Sequence, residues 1–138
     1  MKKIIRSLLI FGLSTIIAIL LFDILFDQSF NIKIENKTTQ KIEGLRLTFT
    51  HAAEDIPVPV IQPGDTITLA LKPNEHIPSS FSESSLTLSY QDADLEVQEE
   101  TIIGYLEKGY TGKADITIKR VNSEGELELD IASKTNLY

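Results

Sequence analysis

KADITIKRVNSEGELELDI, residues 113–131, is the stretch from which the remainder of the chain can be interpreted. Ala114, Ile116 and Ile118 alternate with Asp115, Thr117 and Lys119, and Leu127, Leu129 and Ile131 alternate with Glu126, Glu128 and Asp130. A period of two sends successive side chains to opposite faces, so each run is a strand with one buried and one wet side. Asn122, Ser123, Glu124 and Gly125 between them accept the backbone angles of a reversal. The stretch is an antiparallel hairpin, and its acidic stripe is the solvated face.

Upstream the same period recurs. Phe30, Ile32 and Ile34 alternate with polar residues, and after a polar turn at 36–40 so do Leu45, Leu47 and Phe49, which predicts a second hairpin. In IPVPVI, residues 56–61, Ile56, Val58 and Val60 share a face while Pro57 and Pro59 remove amide donors from one lateral side. That is an edge strand with a blocked rim. A turn at 62–65 leads to Ile67, Leu69 and Leu71, expected to point inward. KPNEHIPSSFSESS, residues 72–85, reads as a sheet-to-sheet crossover or a surface loop. Leu86, Leu88 and Tyr90, then Leu95 and Val97, continue the alternation, and IIGYLEKGYTG, residues 102–112, gathers three glycines and two tyrosines.

Seven or eight short strands, with neither repeats nor an amphipathic helix, predict an all-β domain. An immunoglobulin-like or related Greek-key antiparallel sandwich over residues 29–133 fits best, followed by a frayed tail at 134–138.

The N-terminus is of another kind. In MKKIIRSLLIFGLSTIIAILLFDILF, residues 1–26, no charge interrupts Leu8 to Phe22, while Lys2, Lys3 and Arg6 precede that core and Asp23 follows it. About twenty helical residues cross the roughly 30 Å hydrocarbon core of a bilayer. Residues 4–26 therefore predict a transmembrane signal-anchor within an N-terminal segment 1–28. The basic start stays cytoplasmic and the domain lies outside the cell membrane. The alternative is a cleaved signal and a secreted protein, but the bulky and charged residues from Phe22 to Gln28 do not form a small-residue cleavage site. Type IV pilins share the outline of apolar helix and β-rich head. Here Gly12 is followed by Leu13, Ser14, Thr15, Ile16 and Ile17, without the acid a pilin carries there.

The 138 residues carry 13 Lys and Arg against 20 Asp and Glu. Setting aside the three bases and two acids of residues 1–28 leaves 10 against 18, a formal charge of −8 on the domain. So acidic a surface argues against nucleic acid as a partner, and against attachment to anionic lipid by charge alone, because both need basic patches. The absence of cysteine rules out disulfides and a lipidated N-terminal cysteine.

Candidate chemistry is sparse. His51, Glu54, Asp55, Glu75 and His76 could supply nitrogen and oxygen ligands to zinc or copper if their loops meet, and are exposed loop residues if they do not. Asp92, Asp94 and Glu96 open like a calcium loop, but Val97 and Ile103 stand where Gly and Glu are needed. Phe81, Tyr105 and Tyr110 could form an aromatic contact surface, although sandwich tyrosines also pack and bond nearby backbone. No nucleophile elbow, phosphate loop or zinc-protease motif occurs. No cofactor is implied. The expectation is a non-enzymatic binding module for another envelope component, presenting loops 52–55, 72–85 and 104–112. A metal-binding head, or an anchor pairing through Gly12, Ser14 and Thr15, are the alternatives.

Overall fold

The computed structural model describes residues 29–78 and 80–137. The anchor expected at 4–26 lies outside them. Among the described residues no helix is long and apolar enough to cross a membrane.

Among the described residues, eight strands form two four-stranded sheets. They are β1 (Phe30–Asn36), β2 (Arg46–Phe49), β3 (Ile56–Pro57), β4 (Thr66–Leu71), β5 (Glu83–Gln91), β6 (Val97–Glu107), β7 (Tyr110–Val121) and β8 (Leu127–Leu137). A one-turn helix α1 (Pro73–His76) interrupts the serine-rich connection, where no helix was expected. The first sheet runs β4-β1-β7-β8 and the second β3-β2-β5-β6. The alternating faces meet between them: Phe30, Ile32 and Ile34 of β1 and Ala114, Ile116 and Ile118 of β7 bury against Leu47, Phe49, Leu86 and Leu88 of β2 and β5. Each large apolar side chain buried this way contributes about 1.5–3 kcal/mol.

The β7–β8 hairpin forms as read, with Ile116 opposite Ile131. The hairpin expected of residues 30–49 does not. β1 pairs with β4 and β7, whereas β2 pairs with β3 and β5 in the other sheet. Both runs carry one apolar face, and two such faces can share a core from opposite layers as well as from one. Asn36 braces the crossover. Its buried amide donates to the carbonyls of Gln40 and Ile61 at 2.9 and 3.0 Å and accepts from Thr38 N and Oγ1, tying the end of β1 to the loop that crosses over.

Three further expectations change. The pairing is not antiparallel throughout, because β1 and β7 run parallel from Phe30–Gly112 to Asn36–Ile118. Residues 134–137 of the expected tail are not frayed, since Lys134, Thr135, Asn136 and Leu137 pair with the start of β7, while Tyr138 lies outside the described residues. Residues 104–112 are not a loop, since β6 runs to Glu107 and β7 resumes at Tyr110 after a reversal at Lys108 and Gly109.

The edge reading of residues 56–61 stands, because β3 borders the second sheet and the Val58 amide donates to Leu45 O at 3.0 Å. Successive strand residues aim their backbone groups to opposite sides, so the positions of Pro57 and Pro59 face outward, where none of the described strands pairs. Val60, however, is exposed rather than inward.

Candidate functional site

The register divides the sandwich into two ends. Ser29 receives the Gly112 amide at 3.4 Å, so the chain enters beside Leu71, Tyr110 and Leu137, which we call the near end. In the second sheet the Glu83–Glu107 pair and the Thr50–Ser85 contact lie at this end too. The far end holds the loop at 37–44, the turn at 62–65 and the β5–β6 and β7–β8 tips.

At the near end, His51 lines an open cavity of about 400 Å³ with Pro78, Ser80, Phe81, Ser82 and Glu83. His51 is exposed and holds φ at 70°, where a non-glycine residue is strained. His76 stacks on Phe49 with ring centroids 6.0 Å apart and planes 23° from parallel, an anchor for α1. Asp55 accepts from Thr48 Oγ1 at 2.7 Å and lies 3.7 Å from Arg46. Among the described residues no three of His, Asp and Glu gather into a group that could hold a metal ion, so His51, Glu54, Asp55, Glu75 and His76 are not brought together as ligands.

Of the three aromatic candidates, Phe81 and Tyr110 are half-buried and pack on the core. Tyr105 is exposed, meets Tyr110 edge to face with centroids 6.2 Å apart, and donates its hydroxyl to Glu107. That bond to a carboxylate, with burial and the charge of Glu107 itself adding to it, pushes the Tyr105 phenol up to about 12. The sandwich tyrosine that holds backbone is Tyr90. Buried on β5, it accepts the Leu127 amide at 3.0 Å and so joins the two sheets.

At the far end the two hairpin tips are built alike. Asp92 and Asn122 each open a three-residue loop closed by the bonds Asp92 N to Glu96 O and Asn122 N to Glu126 O, both 3.0 Å. Asp92 Oδ1 accepts the amides of Asp94 and Glu96, and Asn122 Oδ1 those of Glu124 and Glu126. The last residue of each loop is left-handed, Leu95 at φ 64° and Gly125 at φ 81°, the geometry of a type I turn with a bulge. The tips touch through Ala93 N and Glu124 O at 2.9 Å. The Asp92 carboxylate also receives Gln98 Nε2 at 2.7 Å, and chiefly for that reason its pKa lies below the usual aspartate value.

This construction exposes Leu95 by 73% and Val97 by 61%, against the inward positions their alternation suggested. A register shift where β6 passes Leu86 and Thr87 brings Ile102 and Ile103 both inside, and so reverses the phase for everything before it. Leu95 and Val97 border an open groove of about 320 Å³ whose floor and rim include Gly44, Arg46, Ser89 and Gln91. The sequence pattern pointed away from this groove.

Charge is sorted along the same axis. Taking the rows through Ile34, Ile67, Ile116 and Ile131 and through Leu47, Leu88 and Glu100 as the boundary, with the rows themselves counted as far, the near half holds Lys33, Lys72, Lys108, Lys113 and Lys134. Against them stand Glu54, Asp55, Glu75, Glu83, Glu107 and Asp115, for a net −1. The remaining 5 bases and 12 acids, out of 10 and 18, give the far half −7.

No protein-family model matches this chain, and no curated protein does. Among solved structures, the chain is similar to the NMR structure of a protein from Eubacterium rectale at 11% identity, over 75% of this chain and 88% of that one, with a TM-score of 0.43.

Proposed function

We propose that this chain is a non-enzymatic interaction module, held at the outer face of the cell membrane by residues 4–26 and contacting another envelope protein through its far-end groove. The observation that supports this is the exposed pair Leu95 and Val97 beside that groove. Large apolar side chains displayed together at a cleft mark contact sites more often than single exposed ones do. The Asp92, Asp94, Glu96 and Glu99 carboxylates around them favour a partner segment that combines basic and apolar residues. The strand orders and crossovers further support an immunoglobulin-like or related Greek-key topology.

The test places a photo-crosslinking residue at Val97 of the full chain in native membranes. A discrete protein adduct that disappears in Leu95→Asp is the expected result. Adducts with lipid or with the chain itself, and nothing else, would refute the module reading.

A further inference from the structure

We infer that the near end of the sandwich rests on the lipid headgroup layer, with Tyr105 and Leu137 at the contact, and that the acidic far end points away from the bilayer. This rests on the anchored reading above and adds the face of the domain that the membrane takes.

Three independent observations converge on that end. The chain enters there: β1 begins at Phe30, and the four residue steps from Phe26 to Phe30 span at most about 14 Å when extended. A head tied that closely must touch the surface it is tied to. The charge is sorted to suit, since the near half carries −1 and the far half −7. Anionic headgroups repel acids and attract lysines within about a Debye length. Glu83 and Glu107 stand beside Tyr105, and Lys108, Lys113 and Lys134 at the same end offset them.

The side chains also suit an interface. Tyr105 is 48% exposed and Leu137 67%, an amphipathic ring and an aliphatic chain at the headgroup level, where tyrosine is enriched in membrane proteins. Leu95 and Val97 are as exposed, but Asp92, Asp94, Glu96 and Glu99 surround them. A lipid surface would repel that end.

The chain has no cysteine, so single cysteines report without background. Full-length Tyr105→Cys, Leu137→Cys, Leu95→Cys and Val97→Cys, each labelled with a small fluorophore, are reconstituted into vesicles of phosphatidylcholine with a minority of phosphatidylglycerol and of headgroup spin-labelled lipid. Quenching several-fold stronger at 105 and 137 than at 95 and 97 is the expected result. Equal quenching, or the reverse order, in chains that float with the vesicles after an alkaline wash overturns the orientation and leaves the anchor intact. Chains that stay behind in the wash refute the anchor, and the orientation with it.

Discussion

Leu95 sits at φ 64° with its side chain in water, so it bears backbone strain without compensating burial. The left-handed region costs a residue other than glycine about 1–2 kcal/mol, and glycine returns part of that gain as unfolded-chain entropy. Leu95→Gly should therefore stabilise the domain by about 0.5–1 kcal/mol in urea denaturation, while weakening the crosslink at 97 if the groove is the contact. Asn36 is the opposite case. Replacing it with Ala removes four hydrogen bonds made by a fully buried side chain, and a loss of about 2–3 kcal/mol in the same measurement is expected. Two ionisations are shifted chiefly by one side-chain hydrogen bond each. Tyr105 should titrate near 12 by ultraviolet absorbance, and Glu107→Gln should bring it down toward the ordinary phenol value. Asp92 has a depressed folded pKa, so its stabilising contribution is present above the unfolded value of 3.8 and fades as pH falls through the lower folded one. Asp92→Asn should flatten that acid limb in equilibrium unfolding followed against pH. None of these roles could be seen in the chain alone: Asn36 looked like one polar turn residue among five, because burial of a loop amide depends on which sheet the chain enters next.

Strands whose apolar residues keep strict alternation, such as β1, β7 and β8, were legible because period two has one physical meaning on a half-buried sheet. The phase of β6 was not, since its bulge is set by pairing with β5 and leaves no mark in composition. Partners were equally hidden: a run of alternating residues does not say which layer it joins. At this scale the joint between the two hairpin tips is the sensitive element. A methyl group added at Gly125 would lie 2.6 Å from Ala93 N, at a φ of 81°. Gly125→Ala should cost about 2 kcal/mol or more, with amide exchange rising in both tips together although they belong to different sheets. Gly112 faces a similar limit, with Lys134 O at 2.6 Å and the Phe30 ring at 2.8 Å, which explains a glycine inside a strand.

For the molecule as a whole, composition had indicated one acidic, disulfide-free β-domain, and two packed sheets agree with that. What composition could not express is that −7 of the −8 lies in one half. Self-repulsion concentrated there should be relieved by salt, so thermal stability should rise modestly between low and physiological ionic strength. Glu99→Lys should reduce that dependence while Lys108→Glu should not, a comparison that thermal melts at two salt concentrations can make. The parallel pairing of β1 with β7 carries one more consequence. β1 is gripped on both sides, antiparallel by β4 and parallel by β7. Traction applied at the far tips would load both ladders in shear, every hydrogen bond at once, rather than peel them open one after another. An optical-tweezers comparison of that direction with a pull across the sheet should find the lengthwise one much the stronger.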